Sequence, residues 1–103
     1  MREDSFRQWM MAEGTMQKRP MDDAVSRCGR LENELGVSLD KEYEADGGQG
    51  VIDRLVYTKE DQRQGRPAPA GLSIPKGANI YNAVASLRSA ARKYFKFCGA
   101  GKQ

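Results

Sequence analysis

The sequence predicts an all-α protein, a small bundle of four or five helices with a long C-terminal helix at its centre. Three observations lead to this fold class. Apolar residues recur with the 3.6-residue period of a helix in segments 21–35 and 80–98. Glycines and prolines separate these segments from shorter apolar ones. A chain of 103 residues holds one modest core, so we expect residues 1–103 to form a single helical domain.

The first helix is predicted to begin at Ser5, because Gln8 follows three residues later as in a capping box. Phe6 and Trp9 then lie on one helical face, and both are expected in the core. Gly14 is typical of a helix end.

The second helix is expected between Pro20, which suits a first helical turn, and Gly36, which suits a helix end. Its apolar residues keep the helical period: Met21, Ala24, Val25, Cys28, Leu31 and Leu35. This spacing predicts an amphipathic helix with one buried face.

Shorter elements are predicted in the middle of the chain. Leu39 and Tyr43, one turn apart, indicate a short helical turn in segment 37–46, which a glycine-rich break at 47–50 follows. Segment 51–56 carries four apolar residues whose spacing favours a third helix of about two turns. A β-strand is the alternative there, since valine and isoleucine are common in strands.

Two further segments precede the last helix. Thr58 and Asp61 resemble another capping box and predict an exposed helical turn at 58–64. Segment 65–77 holds three of the four prolines and lacks periodic apolar residues, so it is expected to be a flexible loop.

The last helix is predicted to begin at Ala78 or Asn79 and to end at the glycines 99 and 101. Its inward-facing residues are spaced 4, 3, 4, 3 and 4 apart: Ile80, Val84, Leu87, Ala91, Tyr94 and Cys98. This spacing keeps all of them on one face and is the clearest helical signal in the chain.

Charge is divided unevenly along the chain. All fourteen acidic residues lie at or before Asp61, whereas residues 62–103 carry eight basic residues and no acidic one. The first part has a net charge of −5 and the second of +8, which together give the overall +3. Such a division predicts one surface suited to a polyanion or to an acidic partner.

Basic and aromatic residues, Phe95 among them, share a second face of the last helix. Arginines one turn apart suit phosphate oxygens, and basic residues of the preceding loop extend the surface. The predicted nucleic-acid-binding residues are Arg66, Lys76, Tyr81, Arg88, Arg92, Lys93 and Lys96. The alternative is a solvated face on which Lys93 and Lys96 complement the helix dipole. In that alternative, Phe95 or Phe97 is buried against the N-terminal helices.

Several kinds of chemistry are not expected. The chain has no histidine, which excludes histidine-based nucleophilic catalysis and histidine-containing zinc sites. Cys28 and Cys98 are seventy residues apart, unlike a metal site, and are expected as buried thiols in a reducing cytoplasm. A disulfide between them is the alternative. We therefore expect no cofactor and no enzymatic activity, with a metal-dependent enzyme that uses the acidic segment as a less favoured alternative.

Two segments carry a resemblance to a known family: FRQWM at residues 6–10 and YNAVASLRSAARKYFKF at residues 81–97. Together they resemble the helical N-terminal, SAM-like core-binding module of tyrosine recombinases of the phage-integrase type. A similar module precedes nuclease domains in some bacterial restriction-like proteins. The resemblance implies that Arg88, Arg92 and Lys93, together with Lys96, belong to a helix that clamps DNA. It also implies a catalytic domain beyond Gln103 or on another chain.

The expected function is therefore a non-catalytic DNA-binding or DNA-positioning domain, in the context of a nuclease or mobile-element protein. The alternative is a protein-interaction adaptor or inhibitor that docks its basic helix on an acidic protein surface. No apolar run approaches the length of about 18 residues that a membrane-spanning helix needs, so no membrane partner is expected.

Overall fold

The computed structural model describes residues 1–14, 17–75 and 77–100, which form six α-helices and no β-strand. The helices are α1 Glu3–Ala12, α2 Lys18–Leu35, α3 Leu39–Asp46, α4 Gln49–Arg54, α5 Lys59–Arg63 and α6 Ile80–Ala100. The all-α fold and the long C-terminal helix are confirmed, and α5 is the short helical turn expected at 58–64. Segment 51–56 contributes to helix α4, so the alternative of a β-strand there is wrong.

Among the described residues, no helix combines the length and the apolar character that crossing a membrane requires.

Helix α6 is the centre of the fold, since each of the other five helices contacts it. Eight of its side chains are buried: Val84, Leu87, Ala90, Ala91, Tyr94, Phe95, Phe97 and Cys98. Five of the six residues predicted to face inward are among them, and Ile80 is half-buried. The periodic apolar stripe of the sequence is therefore the surface that holds the bundle together.

Helix α1 begins at Glu3, two residues before the start predicted at Ser5. Its N-cap is Arg2, and no side chain caps the helix there. Glu3 and Asp4 occupy the first turn, where negative charge interacts favourably with the positive end of the helix dipole. The capping box predicted from Ser5 and Gln8 is therefore wrong, because Ser5 lies inside the helix.

Three other predicted helix signals are correct. Gly36 ends α2 with a left-handed φ of 65°. The capping box at the start of α5 is complete: the Thr58 side chain accepts from the backbone N–H of Asp61, and the Asp61 side chain accepts from the backbone N–H of Thr58. Asn79 precedes α6, and its side-chain oxygen accepts a hydrogen bond of 3.0 Å from the backbone N–H of Asn82.

Gly99 does not end α6, as the sequence suggested, but lies inside it. A Cβ at Gly99 would lie only 2.9 Å from the hydroxyl oxygen of Tyr43 on α3. This glycine therefore permits the close packing of α3 against α6 and does not act as a helix stop. Gly101, the other predicted stop, lies outside the described residues.

Only some of the apolar side chains of segment 51–56 face the core. Val51 and Leu55 are buried, whereas 55% of Val56 is exposed. Helix α4 ends at Arg54, so the helical period no longer decides where the side chain of Val56 points.

The junction between α3 and α4 brings the backbone close to α6. Gly48 has a φ of 86°, and a Cβ at this position would lie 2.4 Å from the ring of Phe95. The carboxylate of Asp46 accepts hydrogen bonds from the backbone N–H groups of Gly48, at 3.0 Å, and Gly50, at 2.9 Å. Asp46 thereby fixes the turn that sets α4 against the central helix.

A polar network joins the start of α1 to α3 and α6. The Tyr94 hydroxyl donates to Oδ1 of Asp40 at 2.7 Å and accepts from the backbone N–H of Arg2 at 2.9 Å. The Arg2 side chain donates to the same Asp40 oxygen at 3.1 Å. Burial raises the pKa of Asp40, but the hydrogen bonds from Tyr94 and Arg2 and the charge of Arg2 outweigh it, so the pKa lies below its ordinary value.

Both cysteines are buried free thiols, as expected, and the alternative of a disulfide between Cys28 and Cys98 is wrong. The Cys28 thiol donates to the carbonyl oxygen of Ala90 at 3.4 Å. Burial raises the pKa of Cys28 to about 12, so this thiol is protonated and unreactive near neutral pH.

The loop at 65–77 forms no helix in its described part, but it is attached to the rest of the fold. The Tyr57 hydroxyl donates to the carbonyl oxygen of Arg66 at 2.6 Å. Further along, the backbone N–H of Ser73 donates to the carboxylate of Glu34 on α2. The flexibility of the loop stays a prediction.

Candidate nucleic-acid interface

Helix α6 carries Arg88 just before its midpoint and Arg92, Lys93 and Lys96 in its C-terminal half, and we call these four residues the basic face. Arg92 and Lys96 are exposed and lie one helical turn apart. Arg88 and Lys93 are half-buried and flank them. Arg88 lies on the side of α4, and Lys93 on the side of α2. Arg92 and Lys96 are thus the part of the basic face that the surrounding helices leave open.

Acidic side chains do not neutralise the open part of this face. No carboxylate of the described residues lies within 4.0 Å of a charged nitrogen of Arg88, Arg92 or Lys96. The Arg88 guanidinium instead makes a long hydrogen bond of 3.5 Å to the carbonyl oxygen of Leu55. Five arginines elsewhere pair with carboxylates, whereas Arg19, Arg27 and Arg54 form no ion pair among the described residues; the five are Arg2, Arg7, Arg30, Arg63 and Arg66. Arg92 and Lys96 therefore present positive charge that no carboxylate in the described part of the chain pairs with.

The two predicted loop residues do not join the basic face in the described structure. Arg66 lies 2.7 Å from a carboxylate oxygen of Asp61 and also bonds the side chain of Gln64 at 2.9 Å. The hydrogen bond from the Thr58 backbone N–H and the charge of Arg66 lower the pKa of Asp61. Arg66 is therefore compensated locally. Lys76 lies outside the described residues.

Tyr81 lies at the N-terminal end of α6, about 22 Å along the helix from Lys96. Its backbone N–H donates to the side-chain oxygen of Gln62 at 3.1 Å, and the Lys59 ammonium lies 5.8 Å from the centre of its ring. These contacts attach the start of α6 to α5. Tyr81 is thus separate from the basic face, although both belong to the same helix.

Phe95 is buried, although the sequence placed it on the second face of the last helix. Its ring stacks on Tyr43 at 6.3 Å between ring centres and covers Gly48. Phe97 is buried on the other side of α6, 5.5 Å from the ring of Phe6. Because helices pack against α6 from two sides, more of its circumference is buried than the single apolar face that the sequence predicted. Burial is therefore correct for both rings, with Phe97 against the N-terminal helix α1 and Phe95 against α3.

A groove of about 310 Å³ opens beside the basic face, between the end of α1 and α6, and we call it the tryptophan groove. It is lined by Trp9, Met10, Glu13, Ser89, Arg92, Lys93 and Lys96. The ring of Trp9 stacks on Phe6 at 6.3 Å and lies 5.9 Å from Phe97. The sequence predicted a core position for Trp9, but the structure places it half-buried at the edge of the core, on the groove wall.

A second groove, of about 450 Å³, continues toward the start of α6 between α2 and α6, and we call it the α2 groove. The two grooves share Ser89 and Lys93. Small side chains of α6 line one wall of the α2 groove, while Asp23 and Arg27 of α2 line the other. The two grooves therefore adjoin along α6, at Ser89 and Lys93.

What this surface offers chemically is positive charge and hydrogen-bond donors. Guanidinium and ammonium groups donate and have no acceptor, so their natural partners are anionic oxygens. In the described ranges, no three aspartate, glutamate or cysteine side chains are grouped closely enough to hold a metal ion.

The resemblance to recombinase modules stays a prediction that rests on segments 6–10 and 81–97. Comparisons of the chain with protein-family models, with curated protein sequences and with solved structures found no match.

Proposed function

We propose that this protein is a non-catalytic DNA-binding or DNA-positioning domain that contacts the phosphate backbone through the basic face of α6. The observation that carries the proposal is the pair Arg92 and Lys96. Both side chains are exposed, they lie one turn apart, and no carboxylate of the described residues is within 4.0 Å of either.

Such a surface gains binding free energy mainly from the phosphate backbone. Each cation that neutralises a phosphate releases a condensed counterion, which makes affinity steeply dependent on salt. Arg92 and Arg88 add the option of paired hydrogen bonds to phosphate oxygens, a geometry that lysine lacks. Phosphate contacts position a protein on DNA without reading sequence, which fits a positioning role.

The proposed context is the N-terminal part of a nuclease or mobile-element protein, which the resemblance of segments 6–10 and 81–97 supports. The proposed compartment is the cytoplasm, because both cysteines are free thiols, as is usual in a reducing environment.

The test is a fluorescence anisotropy titration with labelled random duplex DNA at several salt concentrations. If the four residues of the basic face each neutralise one phosphate, the slope of log affinity against log salt is expected near about −3.6. Replacing both Arg92 and Lys96 with alanine is expected to reduce that slope to about −1.8. Because both side chains are exposed, the double variant is expected to keep the helical circular dichroism spectrum of the wild type.

Lys41→Ala is the matched control, since it removes one exposed positive charge from α3 and leaves α6 unchanged. Its slope is expected to equal that of the wild type. The proposal fails if wild-type affinity does not depend on salt, or if Lys41→Ala lowers affinity as much as the double variant does.

A further inference from the structure

The tryptophan groove places an aromatic ring beside the cations of the basic face. Trp9 is the single tryptophan of the chain, and its half-buried indole forms part of the groove wall. On the side of the core, the indole packs against Phe6 and Phe97, whose ring centres lie 6.3 Å and 5.9 Å from its own. The indole is therefore fixed in place while part of its surface faces the groove.

We propose that the tryptophan groove binds single-stranded nucleic acid, with one base stacked on the Trp9 indole and neighbouring phosphates on Arg92 and Lys96. This inference rests on the proposed function and specifies its substrate class. Proteins that bind single strands combine a positively charged groove with aromatic side chains on which bases stack. A duplex keeps the faces of its bases inside its own stack, and exposing one costs a few kcal/mol of unstacking.

The combined length of the two adjoining grooves fits a short stretch of single strand. The tryptophan groove and the α2 groove share Ser89 and Lys93, so together they follow α6 from Asn82 to Lys96. Fourteen residues at the helical rise correspond to about 21 Å. We expect a site of about four nucleotides, the lower end of the range known for single-strand binding domains.

Glu13 orients the strand in the tryptophan groove, because it lies at the end of α1, on the wall that faces α6. Carboxylates repel phosphates, so the nucleic-acid backbone is expected along α6 and the bases toward α1. Exocyclic amino groups of bases are donors that a carboxylate accepts, which makes Glu13 compatible with bases on that side. On the wall of the α2 groove, Asp23 is accompanied by Arg27, so their opposite charges set no such preference there.

The experiment uses Trp9 as its own reporter. The full chain is titrated with a single-stranded oligonucleotide of about 12 nucleotides and, separately, with the matched duplex at the same salt. Stacking is expected to quench Trp9 emission with the single strand and not with the duplex. In anisotropy titrations with labelled oligonucleotides, Trp9→Leu is expected to lower single-strand affinity about tenfold and duplex affinity less than twofold.

Trp9→Phe is the conservative variant, because it keeps an aromatic ring against Phe6 and Phe97, and it is expected to retain most of the single-strand affinity. The inference is overturned if wild-type Trp9 emission is unchanged at saturating single strand, or if Trp9→Leu weakens both nucleic acids equally. If the wild type binds duplex with the expected salt slope but does not bind single strand more tightly than duplex, this inference is refuted while the proposed function stands. A wild type that binds neither refutes the proposed function itself.

Discussion

The contact between Gly48 and Phe95 allows a stability prediction to be worked from the structure. Gly48 has a φ of 86°, a conformation that favours glycine, and a Cβ there would lie 2.4 Å from two carbons of the Phe95 ring. Carbon atoms in favourable contact lie about 3.5–4 Å apart, so the ring has to move. Phe95 is only 7% exposed and stacks on Tyr43, which leaves it little room to do so.

We expect Gly48→Ala to lower the free energy of unfolding by about 2 to 5 kcal/mol. The left-handed conformation accounts for about 1 to 2 kcal/mol of this loss when alanine replaces glycine. Overpacking against the Phe95 ring accounts for about 1 to 3 kcal/mol more. Gly47→Ala is the matched control, because Gly47 has a φ of 72° but no atom within 4 Å of the place that a Cβ would occupy. That variant is expected to lose only the backbone part, about 1 to 2 kcal/mol.

Urea unfolding followed by far-ultraviolet circular dichroism measures both losses on the same scale. A second variant isolates the ring: with Phe95→Leu in the background, the further loss from Gly48→Ala is expected to fall toward that of Gly47→Ala. Equal losses for Gly47→Ala and Gly48→Ala in the wild-type background would refute the reasoning, since they would show that the ring imposes no cost.

Two further predictions concern polar contacts. Asp40→Asn is expected to lower the melting temperature most above about pH 4 and progressively less below it. The lowered pKa of Asp40 gives stability that is fully present above the ordinary pKa of 3.8 and is lost as the pH falls through the folded-state pKa. Melting curves of the wild type and the variant from acidic to neutral pH check this. A difference in melting temperature that stays constant across that pH range would contradict it. Thr58→Ala is expected to destabilise the protein by about 1 kcal/mol by removing the cap of α5, whereas Thr58→Ser keeps the hydroxyl and most of the stability. Urea titrations compare the two, and equal losses would show that the hydroxyl is not the cause.

The fold was predictable from the sequence because its two longest helices each bury a regular stripe. The spacing of Val84, Leu87 and Ala91 is local information, and a helix that carries it must bury that face. Features that depend on a neighbouring helix were not predictable in this way. Gly99 looks like a helix stop in the sequence, but its role is set by Tyr43, which comes from a helix more than fifty residues earlier.

The candidate site was predictable to a similar extent. Helical periodicity separates Arg92 and Lys96 from the apolar stripe, and the structure leaves both exposed. Periodicity says nothing about Arg66, whose pairing with Asp61 depends on the shape of the turn at the end of α5. The exposure of Trp9 was also missed. Its position at the border of the apolar face of α1 was the available signal, but the way α1 meets α6 decides which side of the ring stays open.

The charge of Arg92 and Lys96 has a thermodynamic consequence. Exposed ion pairs contribute only about 0 to 1 kcal/mol each, so the lack of a carboxylate partner for these two residues among the described residues costs the fold little. The same two charges contribute fully to the salt dependence of binding to a polyanion. Their removal is therefore expected to change affinity far more than stability, whereas changes at Gly48 act on stability and leave the charges of the basic face in place. Binding and folding can thus be perturbed independently in this chain, which is what allows the proposed function to be tested without the ambiguity of an unfolded variant.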